Sequence, residues 1–258
     1  MIAPPDLGAR QLGSLMGRAN PLTKIAVDLA WVAALVVTLD PRPTLVILVS
    51  AVLAAIVLGR IPLRRFLRAW LPFALAALAV VIVNAVFGAA NGSPGAAVVL
   101  SLGPLHVTAP ALATAVVLGL RILAIAAVGV AFAQTTEATT LADALVQQAR
   151  LPDRFAYGAL AAYQAVPRLS MDLTTLREAR RTRGLAMSWS PGLLFALLVL
   201  AMRHAERMAV AMDARGFDAP GTRSRFRVVR MSRADAVVSV LGVAVVLAAL
   251  LAGSASGA

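Results

Sequence analysis

The sequence contains no cysteine, a single lysine (Lys24) and only two histidines, His106 and His204. Without cysteine the chain forms no disulfide bonds or thiolate metal sites, and it has no cysteine nucleophile. Because Thr23, and not a glycine, precedes the only lysine, a phosphate-binding loop of the GxxxxGK[ST] type is excluded. The distance between the histidines excludes an HExxH zinc helix, and no serine lies in a GxSxG nucleophile motif.

Acidic residues are also scarce, with 12 Asp and Glu against 24 Lys and Arg, which gives a net charge of +12 over 258 residues. At the same time 60% of the residues are hydrophobic, whereas soluble domains have about 45–50%. A soluble nucleic-acid-binding protein could match the charge but not the hydropathy, so no nucleic-acid partner is expected. The composition predicts an all-α, polytopic membrane protein that lies in a lipid bilayer and has a basic part outside it.

Five apolar runs are long enough to form membrane-spanning helices, at about 20 residues per span. A proline-rich turn at 40–43 predicts that the first two form an antiparallel hairpin, and this turn also argues against a cleaved signal peptide. The loop at 60–68 carries four arginines and no acid, whereas the loop at 90–108 has no charged residue. The five runs are 22–39, 44–59, 69–89, 109–133 and 236–252.

A basic insert separates the last two runs and divides the chain into three parts. We predict an N-terminal arm with the first four spans at 1–133, a helical coupling insert at 134–233, and a last span with its tail at 234–258. The insert holds 15 of the 24 basic residues. Because arginine-rich segments stay on the cytoplasmic side of a membrane, the N-terminus, the 60–68 loop and the insert are predicted to be cytoplasmic, and the C-terminus outside.

The insert itself is predicted to be helical. An amphipathic helix is expected at 137–151, a longer one at 153–184 with a kink at Pro167, and a third from Pro191 to about residue 215. The third includes 192–202, whose 11 apolar positions are too few for a span of about 20 residues. Charged residues follow this run at once, so we predict a buried cytoplasmic or interfacial helix rather than a sixth span.

The two longer helices of the insert end in the same pattern, an arginine directly before a glycine. The pairs are Arg183 with Gly184 and Arg215 with Gly216. A glycine at this position can take a positive φ and end a helix, and arginine suits the negative end of the helix dipole. One such cap is common in proteins, but two copies on adjacent helices of a cytoplasmic insert indicate a docking surface, since arginine can bind carboxylates or a partner's helix end.

The two motifs resemble the Ala-Arg-Gly signatures of energy-coupling factor (ECF) transporter transmembrane components, the EcfT/CbiQ family. Ala214-Arg215-Gly216 matches the signature in full, and Thr182 stands where the family's first motif usually has alanine. The resemblance extends over most of the chain, through a Pro-x-x-Lys entry to the first span and the run after the fourth span. The first motif resembles the Ala-x-Arg-x-Arg-Gly form through Ala179, Arg181, Arg183 and Gly184.

This resemblance implies a coupling subunit of an ABC-type importer for vitamins or metal ions, in a bacterial or archaeal cell membrane. Its partners would be two ATPase subunits, which bind the ATP, and a substrate-binding membrane protein, the S component. It implies no cofactor, metal or catalytic residue in this chain. Arg181 and Arg183 would dock one ATPase and Arg215 the other, while Gly184 and Gly216 would permit close approach.

Two alternatives stay open, a permease subunit of another ABC transporter class and a membrane-embedded enzyme. Both would need more polar residues within the spans than Asp28, Asn84 and Arg121. An intramembrane arginine is a functional candidate. We favour a structural role for Arg121 with Asp28 or Asn84 as its partner, since the substrate is expected on another chain. The arginines of 60–68 fit either lipid binding or topology alone, and the run at 223–233 predicts a juxtamembrane anchor.

Overall fold

The computed structural model describes residues 11, 13–38, 40–92, 97–102, 105–185, 190–217 and 227–254. Most of the N-terminal arm, the start of the 223–233 run and the C-terminal tail lie outside the described residues. The described residues are almost entirely helical, as predicted, with one short β-hairpin.

We number the elements in chain order. The short α1 precedes the bundle helices α2 to α5, α6 to α8 form the insert, and α9 is the last helix. The bounds are α1 Leu15–Arg18, α2 Pro21–Val37, α3 Pro41–Leu53 with a π-helical turn Ala54–Leu58, α4 Leu63–Phe87, a 3₁₀ turn Ala89–Gly92, β1 Val98–Leu102, β2 Leu105–Thr108, α5 Ala109–Thr135, α6 Ala138–Gln147, α7 Asp153–Thr182, α8 Pro191–Ala214 and α9 Arg233–Ser254.

The described residues form two compact units. We call residues 138–229 the coupling region, and residues 11–137 with 230–254 the membrane bundle. In the bundle, α5 packs between α3 and α4, and α9 packs against α2 and α3. Alanines are frequent in the buried core, where they let helix backbones approach closely, as is common between membrane helices.

Four helical stretches of the described chain are long and apolar enough to cross a membrane, Pro41–Leu58, Leu63–Gly92, Ala109–Thr135 and Arg233–Ser254. The first predicted span forms α2, whose 17 residues are at the lower limit for a membrane helix. It nevertheless packs within the same bundle, against α5 and α9. The prediction of an all-α polytopic membrane protein is confirmed, with α2 shorter than its predicted range.

Several predicted boundaries are wrong, for local reasons. Arg64, Arg65 and Arg68 lie on the first turns of α4 and not in a loop, because Pro62 is the N-cap of a helix that begins at once. The proline-rich turn is shorter than predicted, since Pro41 is the first residue of α3, where a fixed φ suits a helix start.

Two further differences concern the loop at 90–108 and the end of α6. The loop contains the antiparallel strands β1 and β2, which were not predicted. α6 ends at Gln147 and not at 151. The chain cannot continue as a helix into Pro152, and Arg150 takes the left-handed conformation with φ 56°.

Candidate docking site and intramembrane polar residues

The two long helices of the coupling region, α7 and α8, form an antiparallel pair. The side chain of Arg168 approaches the ring of His204, with 3.4 Å between Nη1 and Nε2. Twelve residues further along α7, Arg180 lies beside Gly192, which is twelve residues earlier in α8. The two helix ends therefore lie at opposite ends of the pair, about 40 Å apart along the helix axis at the usual rise per residue.

The end of α7 is a Schellman motif. Arg183 is the C-cap, and Gly184 has φ 73°. The N–H of Gly184 donates to the carbonyl of Arg181 at 3.0 Å, and the N–H of Leu185 donates to the carbonyl of Arg180 at 3.1 Å. These two bonds satisfy carbonyls that a helix end otherwise leaves free, and the left-handed turn favours glycine, which has no Cβ.

The end of α8 repeats this motif in the same register. Arg215 is the C-cap, and Gly216 has φ 71°. The N–H of Gly216 donates to the carbonyl of Asp213 at 2.8 Å, and the N–H of Phe217 donates to the carbonyl of Met212 at 3.0 Å. Each helix thus ends in an arginine, a left-handed glycine and an apolar residue, which confirms the predicted helix ends.

The residues predicted to dock a partner are all exposed. Their side chains lie around the two helix ends, where the planar, five-donor guanidinium groups can reach acceptors on another protein. By contrast, Arg177 and Arg180, on the preceding turns of α7, are half-buried. The exposed set is Ala179, Arg181, Arg183, Gly184, Ala214, Arg215 and Gly216.

The first half of α8 presents an apolar surface. Leu194, Phe195, Leu198 and Met202 are between 51% and 69% exposed, while Leu193 is buried. The predicted segment 192–202 is therefore helical, and most of its large side chains are not buried against the chain itself. Such a surface fits an interfacial or partner-facing helix, and α8 is not among the four stretches that are long and apolar enough to span.

The predicted partners of Arg121 are wrong. Its guanidinium donates through Nη2 to the carbonyl of Thr38, the C-cap of α2. Asn84 instead donates to the carbonyl of Val80 in its own helix at 2.9 Å. Because α2 is short, its C-terminal carbonyls end beside the middle of α5, and a cation is favourable there.

Asp28 faces a cavity of about 320 Å³ in the membrane bundle. Helices α2, α3, α5 and α9 line it, and its walls are mostly apolar. Lys24, Ser50 and Trp31 are its other polar residues, but the indole of Trp31 donates to the carbonyl of Gly242 at 3.0 Å. The cavity places Asp28 beside Lys24 rather than beside Arg121.

A buried polar cluster lies at the start of α2 and was not predicted from the sequence as a site. It joins Asn20 and Lys24 to Asp235 on α9 and to the last residue of α5. The sequence pointed to Lys24 as the single lysine and as part of the Pro-x-x-Lys match, but not as a member of a polar cluster, and it did not single out Asp235. The available signal for this cluster was Asp235, an acidic residue in the first turn of α9 and directly before the apolar run 236–252.

Metal binding has no candidate in the described part of the chain, where no group of three or more His, Cys, Asp or Glu side chains could hold an ion.

Comparison with known proteins gives consistent matches. The family model CbiQ, described as a cobalt transport protein, matches residues 14–227. The chain is similar to the energy-coupling factor transporter transmembrane proteins EcfT of Lactococcus lactis subsp. cremoris (26% identity, 91% of this chain and 92% of the relative) and Limosilactobacillus fermentum (25% identity, 92% of each). A third EcfT protein, from Listeria innocua serovar 6a, is 25% identical over 86% of this chain and 88% of the relative.

Proposed function

Because this chain belongs to the CbiQ family, we propose that it is the transmembrane coupling subunit of an energy-coupling factor importer. The EcfT relatives match it over nearly their whole length, and four helical stretches fit a multi-pass membrane protein. Its role is in transport and not in catalysis. The substrate, a vitamin or a metal ion, is bound by a separate S component, and ATP is bound by partner subunits.

The two matched helix ends are the observation that carries the partner assignment. Each exposes an arginine at the C-cap and a glycine that leaves room beside the backbone, so a partner's carboxylate can pair with the guanidinium. Since the ends lie about 40 Å apart along an antiparallel pair, they suit two separate docking grooves and not one. One ATPase therefore receives Arg181 and Arg183, and the other receives Arg215.

Reversing the charge at both helix ends tests this assignment. In mild detergent, the wild-type chain should purify with two ATPase subunits and one small membrane protein. In an Arg183→Glu, Arg215→Glu double variant the ATPases should be lost, because removing a charged contact at an interface typically costs about 2–5 kcal/mol, or at least roughly 30-fold in affinity.

An Arg203→Glu, Arg207→Glu double variant is the matched control. These two arginines are also exposed and lie on α8, but away from its end. The control carries the same change in net charge and should keep both ATPases. If the Arg183→Glu, Arg215→Glu chain purified with ATPases in the wild-type ratio, the docking assignment would be refuted.

The orientation that we propose places the helix ends with the ATPases in the cytoplasm. The N-terminus is cytoplasmic and the C-terminus lies outside, supported by the arginines of the first turns of α4 and of the coupling region. The chain holds no cofactor or metal of its own. Motion of the ATPase pair reaches the S component through α7 and α8.

A further inference from the structure

The chain passes from the membrane bundle into the coupling region after Glu137 and returns at Arg230. α5 ends at Thr135, two residues before the first crossing, and α9 begins at Arg233, three residues after the second. These two short connections join the coupling region to the bundle along the chain, and each can carry a displacement of the coupling region into the bundle. The helix that moves with the coupling region is therefore the one that binds the bundle residues next to these two crossings.

The bundle end of the second crossing is held by Asp235. This carboxylate is 5% exposed, and both of its oxygens are used. Oδ1 accepts the backbone N–H of Asn20, the N-cap of α2, and Oδ2 accepts the backbone N–H of Ser232. Asp235 thus binds the returning chain to the start of α2 through charge-assisted hydrogen bonds, which are stronger than neutral ones.

The bundle end of the first crossing is held by Lys24. Its side chain is 2% exposed, and Nζ donates to the carbonyl of Thr135 at 2.9 Å. The ammonium also lies 6.0 Å from the ring centre of Phe132, one turn earlier in α5. A buried cation needs such partners, so the bond fixes the end of α5 to α2.

Both attachments lie on one turn of α2, since residues 20 and 24 are four apart. We propose that Asn20, Lys24 and Asp235 form a joint that binds both crossings to the first turn of α2, so that displacement of the coupling region moves α2. This inference rests on the proposed function. It gives Lys24 and Asp235 a positioning role in energy coupling.

The other end of α2 provides a matched contact that lies away from both crossings. There the half-buried Arg121 donates to the carbonyl of Thr38, so this contact too joins a cation to a carbonyl at the end of a helix. Loss of this bond weakens the bundle in a similar way but leaves the joint intact. The two contacts therefore separate a role in stability from a role in coupling.

Spin labels on the complex with its ATPases test the joint, and the absence of natural cysteines makes labelling direct. Labels on Leu29→Cys in the middle of α2 and Leu75→Cys on α4 occupy exposed positions, and Leu29 lies away from the carbonyl that Arg121 binds. Trapping the ATPases with ATP and vanadate should change the distance between the labels by about 2–5 Å. In Lys24→Met or the isosteric Asp235→Asn, the population that changes should fall about tenfold, since each loses a charge-assisted bond.

Three controls accompany the measurement. Arg121→Met should keep the ATP-dependent change, Lys24→Arg should restore it, and ATP hydrolysis should stay within about twofold of wild type, because the joint acts after docking. The joint is refuted if Lys24→Met and Asp235→Asn respond as wild type does, if Arg121→Met loses the response equally, or if labelled wild type does not respond. A wild-type chain that holds no ATPases would instead refute the proposed function, and the joint with it.

Discussion

At the scale of single residues, Gly184 decides how α7 ends. A Cβ at this position would meet no atom within 4 Å, so the obstacle to a side chain is the backbone φ of 73° alone. Gly184→Ala should therefore cost about 1–2 kcal/mol at the helix end. Hydrogen exchange of the amides of residues 184 and 185, which donate to Arg181 and Arg180, should accelerate accordingly.

Two substitutions serve as controls for that prediction. Gly184→Asn should have a smaller effect, because asparagine tolerates the left-handed conformation. Gly158→Ala, inside the same helix and with open space around its Cβ position, should slow exchange or leave it unchanged. Equal exchange in Gly184→Ala and wild type would show that the positive φ is not needed.

A buried amide near the first crossing makes a second residue-scale prediction. Gln134 is 4% exposed, and neither its Oε1 nor its Nε2 has a hydrogen-bond partner among the described residues. Because an unsatisfied buried polar group costs about 1–3 kcal/mol, Gln134→Met should raise the free energy of unfolding of the chain in detergent. Gln147→Met should lower it, since that amide bonds to Arg227 and Val229. A lower stability of Gln134→Met would mean that its amide is satisfied in solution.

At the scale of helices, the close approach of α2 and α9 depends on Gly242. A Cβ there would lie 2.5 Å from Cγ1 of Val27. Gly242→Ala should destabilise the bundle by about 1–3 kcal/mol, as overpacking does elsewhere. Adding Val27→Ala should recover most of this loss, whereas Gly129→Ala, with no neighbour within 4 Å, should be nearly neutral.

Unfolding of the three variants and of the wild type in mixed detergent micelles measures this coupling. If the double variant were no more stable than Gly242→Ala alone, the loss of stability would not come from a clash between residue 242 and the side chain of Val27. The same contact explains why a glycine occupies an otherwise apolar spanning helix, where small residues let backbones pack closely.

Helix identity was predictable from the sequence because hydropathy and caps are local signals. Asn20 and Ser190 begin α2 and α8 by accepting the N–H of Leu22 and Leu193, and Gly184 ends α7. These residues stand next to the boundaries that they set. The predicted ends of α7 and α8 followed from the same signals.

Contacts between distant segments were not predictable in this way. The partner of Arg121 is a backbone carbonyl that is free only because α2 ends at Val37, and no side chain marks it. Similarly, Asp235 and Asn20 are far apart in the sequence and meet only when α9 packs on α2. The contacts of the joint therefore could not be predicted from the sequence, although Asn20, Lys24 and Asp235 are polar residues near the starts of their helices.

At the scale of the whole molecule, charge and hydropathy are separated along the chain. The membrane bundle carries the apolar spans, and the coupling region carries most of the arginines. Few polar residues interrupt the spans, which suits a subunit that transmits motion better than one that conducts a polar substrate. Under the proposed orientation, the arginines also keep the coupling region on the side where ATP is available.

That orientation predicts the reactivity of cysteines placed at two helix ends. In a chain without natural cysteine, Ser254→Cys at the end of α9 should react with a membrane-impermeant maleimide in intact cells. Thr182→Cys at the end of α7 should react only after permeabilisation, because the basic coupling region stays cytoplasmic. Denatured samples of both variants supply the full-labelling reference. Labelling of Thr182→Cys in intact cells, or protection of Ser254→Cys, would contradict the proposed orientation. The ends of α7 and α8 would then lie on the side where no ATPase could reach them.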